Sequence, residues 1–280
     1  MGAQTPEAWS GLISTQRSMT TVSDWYLAGS NMTQHSTGMP SFDTSILLAA
    51  QLLQVKKQQP STKTDFIANA SAIRVDELLL ISRFPDLPAS NSYMALHYTP
   101  LYTLLAVSGE SWVLNDKISH IESFVGLKEQ LKDWQASGSC AAATVFAART
   151  LRSMLKIDQS TNTNDKNLER EIKYRHVKWK DLSDYWAFYT SVLICWAFGH
   201  GKRQVDHGDS SLLTAISWIR DVANSQPNQL QAQACESETR ALVGLGLELL
   251  KKDCLGNRNR LFADSINVLR RLQEVDRPRF

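Results

Sequence analysis

The stretch Asp184–His200, DYWAFYTSVLICWAFGH, decides the fold class of this 280-residue chain. Its run from Tyr185 to Phe198 is densely apolar, yet it is too short to cross a bilayer. A run of this kind predicts a helix that is buried in the protein core. We predict this helix over residues 184–199, with Gly199 well placed to end it.

The same helical spacing of apolar residues dominates the chain on both sides of this run. Further helices are predicted at about 41–59, 73–81, 96–107, 111–135, 141–156, 168–176, 209–224, 236–252 and 259–274. The period-two alternation of a strand never extends beyond four or five residues. We therefore predict an all-α protein, a single large domain of about nine to eleven helices with no significant sheet.

Two polar stretches interrupt the helical pattern. We predict a partly flexible N-terminal segment over residues 1–40, followed by one helical domain over residues 41–280. Inside that domain, residues 157–167 include the polar run Thr161–Asn164 and predict a mobile loop.

The composition is that of an ordinary globular protein, with 43% hydrophobic residues, 21% charged residues and a net charge of +2. This charge balance indicates neither a nucleic-acid-coating protein nor a membrane-surface protein. The N-terminus lacks the pattern of a secretory signal, and Pro88 and Pro100 interrupt the longest uncharged stretch. We expect a soluble protein of the nucleus or cytoplasm, with no membrane partner and no direct sequence-specific binding to nucleic acid.

The four cysteines are widely separated and none belongs to a C-x-x-C pair. A structural zinc site of the usual spacing is therefore not predicted. Cys140 and Cys195 lie in apolar runs, which is typical of small buried side chains. We expect the thiols to be reduced, as in other nuclear and cytoplasmic proteins.

A second possible metal site lies around two histidines, His200 and His207, which stand close to Asp206 and Asp209. A solvated polar loop after a helix C-terminus is the interpretation that we favour for these residues. We therefore predict no metal and no cofactor.

Motifs that carry known chemistry are missing or incomplete. Gly109–Val113 begins like a nucleophile elbow but has valine in place of the second glycine. No H-E-x-x-H motif, P-loop or dinucleotide-binding fingerprint is present. Gly244 and Gly246 lie in an apolar helical context, so they predict close helix packing.

Large aromatic residues within the predicted helices could line a pocket. Such residues more often form the core, but a helical bundle lined with Trp, Tyr and His can also enclose a small-molecule cavity. The candidates for the pocket wall are Trp112, Trp186, Tyr189 and Trp196.

An enzyme built on this scaffold would need only a shaped pocket and one or two acid–base groups. The candidates for such groups are His97, Tyr98, Glu110, Tyr189 and His200. No carboxylate partner for His97 can be assigned from the sequence.

Three stretches carry a family resemblance: 101–114 with its continuation at 131–134 and an alanine-rich helix, 184–200, and 261–272. Together they resemble the C-terminal regulatory region of fungal C2H2-type zinc-finger transcription factors, which is related to the broader fungal-specific factor domain. The resemblance covers about residues 90–280 and rests on packing motifs. It implies a large α-helical domain and a role in transcriptional regulation in the nucleus. The zinc fingers themselves are absent from this sequence.

Two hypotheses of function follow. The first, which we favour, is a transcription-regulator-like helical domain without its own DNA-binding module. It would act through a protein partner and an apolar small-molecule effector. The alternative is the same scaffold used as a secondary-metabolite enzyme, a cofactor-independent cyclase or isomerase with an aromatic-lined pocket. The sequence specifies neither the effector, the partner nor the oligomeric state.

Overall fold

The computed structural model describes residues 88–109, 112–113, 116–117, 121–157, 182–200, 211–226, 230, 235–253 and 260–275. All of them belong to one compact unit. Several predicted segments lie outside these residues. They are the flexible segment 1–40, the helices at 41–59, 73–81 and 168–176, and the loop at 157–167 apart from Ile157. Ile157 itself is buried, with 4% of its surface exposed.

Eight helices and one short strand pair make up the part of the chain that the structure describes. They are α1 (Pro88–His97), α2 (Leu101–Ser108), β1 (Trp112–Val113), β2 (Asp116–Lys117), α3 (Ile121–Gln135), α4 (Gly138–Leu155), α5 (Leu182–Gly199), α6 (Leu212–Asn224), α7 (Glu236–Asp253) and α8 (Arg260–Val275). The two-residue strands pair antiparallel, with Trp112 opposite Lys117 and Val113 opposite Asp116. The predicted all-α fold is thereby confirmed.

The largest differences from the predicted boundaries lie in the first third of the described residues. The helix predicted at 111–135 begins at Ile121, because residues 112–117 contain the strand pair. Trp112 and Val113 belong to the residue types that favour strands. The helix predicted at 96–107 begins at Leu101 as α2, with Pro100 at its N-cap. Residues 96 and 97 are the end of a separate helix, α1. Pro88 opens α1, where its missing N–H group costs nothing.

Helices α4 and α5 form the centre of the structure. Every residue from 139 to 148 in α4 and from 187 to 199 in α5 is buried. A helix that is apolar on all sides requires neighbours on all sides. Accordingly α4 packs against α1, α5 and α6, and α5 packs in addition against α7.

Close approach between α5, α7 and α8 depends on glycine. A Cβ atom at Gly199 of α5 would lie 2.8 Å from Cγ2 of Thr239 in α7, and one at Gly246 of α7 would lie 3.1 Å from Cγ2 of Val192. On another face of α7, a Cβ atom at Gly244 would lie 3.3 Å from Gln273 of α8. The interpretation of Gly244 and Gly246 as helix-packing residues is confirmed.

Arginine side chains hold the C-terminal ends of two helices. Arg149 of α4 donates to the carbonyl oxygens of Ala223 at 3.0 Å and Ser225 at 3.3 Å, at the end of α6. Arg271 of α8 donates at 2.7 Å to the carbonyl of Gly109, which ends α2 in a left-handed conformation. Cations are favourable at the negative end of a helix dipole. Burial, and then the neighbouring charge of Arg152, lowers the pKa of Arg149.

None of the eight helices in the described part of the chain combines the length and the hydropathy needed to span a bilayer.

Candidate functional site

A groove with a volume of about 400 Å³ lies between α1, α4 and α5, and we call it the α1/α4/α5 groove. It is open to the surface, and its walls are mostly apolar. Nine of the residues that the structure describes line it: Ala89, Ser92, Tyr93, Leu96, Met154, Ser183, Asp184, Trp186 and Ala187.

The periodicity of α1 and the direction of α5 explain how these residues meet. Ala89, Ser92, Tyr93 and Leu96 follow the spacing i, i+3, i+4 and i+7, so they share one face of α1. The α5 residues come from its first two turns. Met154 stands near the end of α4, which indicates that the end of α4 meets the beginning of α5. At the opposite ends of the two helices, the thiol of Cys140 near the start of α4 is close enough to that of Cys195 near the end of α5 to raise its pKa. The two central helices therefore run antiparallel.

The two aromatic side chains in the groove come from different helices. Tyr93 belongs to α1, and burial raises the pKa of its phenol, so the ring stays neutral over the physiological range. Trp186 belongs to α5, and its ring lies 5.7 Å from that of Tyr189 at an interplanar angle of 54°. Tyr189 is fully buried behind it. The groove thus has an aromatic residue on each of two walls.

The groove has polar groups on both walls, and its charged group lies at the start of α5. Ser183 is exposed and Asp184 is half-buried, and Asp184 stands in the first turn of the helix. A carboxylate there is favoured by the positive end of the helix dipole. Ser92 on α1 is buried. Among the nine lining residues, Asp184 is the one that carries a formal charge.

The four predicted pocket residues are distributed over different places. Trp186 lines the groove and Tyr189 packs against it from within the core. Trp196 lies ten residues farther along α5, about 15 Å away along the helix axis. Trp112 is in β1, and its side chain lies outside the described residues.

Trp196 belongs to a closed cluster at the C-terminal end of α5. The ring of His200 lies 4.6 Å from that of Trp196 at an angle of 32°. Gln135 of α3 donates its side-chain amide to the carbonyl oxygen of Ala197 and, at 3.1 Å, to that of His200. Within the described residues, the buried indole nitrogen of Trp196 has no hydrogen-bond acceptor. This end of the helix is occupied by packing.

The candidate acid–base residues do not line the groove either. His97 ends α1 and meets Tyr98 edge-on, with ring centroids 5.2 Å apart. Tyr98 stacks on Phe146 at 6.1 Å, and its carbonyl oxygen accepts a 2.7 Å bond from the indole of Trp134. These contacts place Tyr98 in the core between α3 and α4.

Two further acid–base candidates lie far apart, and one lies outside the described residues. Tyr189 and His200 are eleven residues apart, about 16 Å along the helix axis. Glu110 lies outside the described residues. Of the candidates that the structure describes, the sequence neighbours His97 and Tyr98 contact each other, and neither is among the residues that line the groove.

Three of the cysteines are buried thiols. Cys140 and Cys195 are fully buried and Cys235 is 6% exposed, as the apolar context of the first two predicted. Burial raises the pKa of Cys195 well above its ordinary value, and the nearby thiols of Cys235 and Cys140 raise it further. Such thiols are poor nucleophiles. Cys254 lies outside the described residues.

No cluster of His, Cys, Asp or Glu suited to a metal ion occurs in the part of the chain that the structure describes. Of the possible ligands near the end of α5, only His200 belongs to that part. Asp206, His207 and Asp209 lie outside it.

Most of the residues that line the groove are not among those predicted from the sequence. Tyr93 and Leu96 belong to α1, whose register is concealed because Ser90, Asn91 and Ser92 are buried although they are polar. The i, i+3, i+4, i+7 spacing of Ala89, Ser92, Tyr93 and Leu96 was the available signal.

Comparisons with protein-family models, with curated proteins and with solved structures found no match. The resemblance to fungal transcription-factor regulatory regions consequently rests on the sequence stretches quoted above.

Proposed function

We propose that this chain is a regulatory module of the transcription-regulator type that binds an apolar small molecule in the α1/α4/α5 groove and acts through a protein partner. The observation that carries the proposal is the groove itself, an open and mostly apolar site with aromatic residues on two walls and a few polar groups. Ligand sites in proteins share this composition, and their volumes are roughly 300–1,000 Å³. The groove volume of about 400 Å³ suits a small molecule.

Binding is favoured over catalysis by the position of the acid–base candidates. His97, Tyr98, Tyr189 and His200 are not among the residues that line the groove. General acid–base catalysis requires the group to reach the substrate directly or through one water molecule. The acid–base residues predicted for a cyclase or isomerase reaction therefore do not support catalysis in the groove, whose own lining supplies only the carboxylate of Asp184 and the phenol of Tyr93 among the described residues.

The position of the groove also suits regulation. Its walls are α1 on one side and the central helices α4 and α5 on the other. A ligand that contacts both walls stabilises the conformation in which α1 is docked on the core. The change in affinity for a partner can then follow from the change in population of that conformation.

The ligand-binding part of the proposal is tested by a thermal-shift screen of the full chain against apolar metabolites, with Trp186→Leu as the comparison. A ligand that binds the folded state raises the melting temperature by mass action. We expect the shift to be smaller in Trp186→Leu. Ligands that shift the wild type and the variant equally would place the ligand site elsewhere.

The regulatory part is tested by deletion of the gene in its own host, followed by transcript and metabolite profiles. A regulator predicts that transcripts of its target genes fall. If transcripts persist while one intermediate accumulates, the enzyme alternative is correct.

A further inference from the structure

The charges of the α1/α4/α5 groove favour one class of ligand. Asp184 supplies a negative charge at the start of α5, and none of the nine lining residues is lysine, arginine or histidine. Among the described lining residues, a bound anion would therefore meet a carboxylate and no cationic side chain. A bound cation would meet an opposite charge.

The aromatic residues of the groove also favour a cationic ligand. The faces of tryptophan and tyrosine rings carry negative electrostatic potential and attract cations, and tryptophan does so most strongly. The attraction increases when the cation leaves bulk water. Tyr93 and Trp186 line the groove from two different helices, while Leu96 and Met154 supply apolar surface for the rest of a ligand. This composition resembles the aromatic sites that recognise substituted ammonium groups.

A ligand in the groove would share the carboxylate of Asp184 with the protein. Asp184 already takes part in another interaction within the protein. A carboxylate has about four lone-pair positions, so it can accept from a second group while it keeps the first. The carboxylate also stabilises the start of α5 through the helix dipole, but that role explains neither the aromatic walls nor the open volume.

We propose that the groove binds a small organic cation, a substituted ammonium ion with an apolar body. The inference rests on the proposed function, because it requires the groove to be the ligand site. A small molecule is favoured over a docked helix because the groove volume of about 400 Å³ lies in the range of small-ligand sites.

The test uses four soluble probes titrated into the full chain by calorimetry and thermal shift. They are benzyltrimethylammonium, tetramethylammonium, benzyl alcohol and phenylacetate. We expect benzyltrimethylammonium to bind with a Kd of about 1 mM or tighter, since it combines the charge with an aromatic body. The small cation and the neutral alcohol should each bind more weakly, and phenylacetate should not bind.

Variants assign the binding to the groove. Trp186→Leu and Tyr93→Leu keep apolar surface but remove the ring. Each should raise the Kd of the cation roughly three- to tenfold. Asp184→Asn removes the charge and should raise the Kd of the cation roughly threefold. The change in Kd should be smaller at high salt. The matched controls are Tyr102→Leu on α2 and Asp221→Asn on α6, which are exposed residues outside the groove lining. Neither control should change the Kd.

The outcomes separate this inference from the proposed function. If benzyl alcohol and phenylacetate bind as tightly as the cation and Trp186→Leu weakens all of them, the groove is a ligand site and the preference for cations is wrong. If Trp186→Leu and Tyr93→Leu leave the binding of the cation unchanged, both the inference and the assignment of the groove are wrong. Absence of cation binding up to about 10 mM also overturns the inference, and the screen of apolar metabolites then decides the proposed function independently.

Discussion

The two ends of α5 each carry a tryptophan, and the two tryptophans have different surroundings. At the N-terminal end, Trp186 is half-buried and lines the α1/α4/α5 groove. At the C-terminal end, Trp196 is 4% exposed and its ring is covered by that of His200. Both tryptophans lie within the apolar run of residues 185–198, so the difference arises mainly from the neighbouring helices.

Those neighbours close one end and leave the other open. Gln135 of α3 binds the last carbonyl oxygens of α5, and Thr239 of α7 packs against Gly199. The N-terminal end has α1 and the last turns of α4 as walls, with space between them. Aromatic content alone therefore does not locate a pocket. The partner helices decide which aromatic residue is available to a ligand.

The largest effect is expected from Gly199→Ala at the closed end. The added methyl group would lie 2.8 Å from Cγ2 of Thr239, a short and buried side chain with little freedom to move. We expect the free energy of unfolding to fall by about 2–3 kcal/mol, as in other overpacked cores. Denaturant unfolding measures the change.

The matched control for this substitution is Gly126→Ala on α3, where an added Cβ atom has no neighbour within 4 Å. Alanine there should stabilise the helix by roughly 0.5–1 kcal/mol. A Gly199→Ala protein as stable as the wild type would show that α5 and α7 are not closely packed at this point.

The second comparison concerns two buried indoles, Trp134 and Trp196. Phenylalanine at 134 removes the 2.7 Å bond to the carbonyl of Tyr98 and leaves that oxygen without its donor. Phenylalanine at 196 removes an N–H group that has no acceptor among the described residues. We expect Trp134→Phe to cost about 1–2 kcal/mol more than Trp196→Phe in denaturant unfolding. Equal costs would mean that the indole of Trp196 does have a hydrogen-bond partner.

A smaller effect is expected from Gln135→Leu, which removes the side-chain cap from the end of α5. The loss of its bonds to Ala197 and His200 should lower the free energy of unfolding by about 1 kcal/mol. The control is Gln130→Leu on the same helix, an exposed residue that accepts one 3.3 Å bond from Thr103. A surface change of this kind should cost less than about 0.5 kcal/mol. Equal stability of the two variants would contradict the capping role of Gln135.

The smallest expected effect is on the pH dependence of stability. Above about pH 9, the free energy of unfolding should depend on one ionisable group near each end of α5. The thiol of Cys195 near the closed end and the phenol of Tyr93 in the groove both have raised pKa values in the folded protein. In the unfolded chain they ionise near their ordinary pKa values of 9.0 and 10.0. The stability that they contribute is therefore fully present below those values and is lost as the pH rises above them.

Unfolding measured between about pH 8 and 10.5 for the wild type, Cys195→Ala and Tyr93→Phe checks this dependence. We expect Cys195→Ala to lose less stability than the wild type above pH 9.0, and Tyr93→Phe to differ only above pH 10.0. An identical pH dependence in Cys195→Ala and the wild type would show that this thiol ionises equally in both states.

The helices of the second half of the described residues could be predicted because their apolar residues repeat with a helical period. The helix predicted at 184–199 corresponds to α5 (Leu182–Gly199), and the helix predicted at 236–252 corresponds to α7 (Glu236–Asp253). In contrast, α1 was missed because it buries Ser90, Asn91 and Ser92, which local composition assigns to a loop. For the same reason the helix predicted at 96–107 starts five residues before α2 (Leu101–Ser108).

The groove could not be predicted because it depends on contacts between distant parts of the chain. Tyr93 and Trp186 are separated by more than ninety residues, and only tertiary packing brings α1 to the beginning of α5. The bonds from Gln135 to the end of α5 and from Arg149 to the end of α6 are similarly distant in sequence. Side-chain caps of this type have no local pattern, whereas the packing role of the glycines at 244 and 246 could be interpreted from the helical context alone.

The most direct test of the difference between the two ends is to compare Trp186→Leu with Trp196→Phe, with and without benzyltrimethylammonium, by thermal unfolding. The account predicts that Trp186→Leu keeps a Tm close to that of the wild type but loses most of the ligand-induced rise. Trp196→Phe should have a lower Tm and keep that rise. The account would be contradicted if Trp186→Leu kept the full ligand-induced rise while Trp196→Phe lost it.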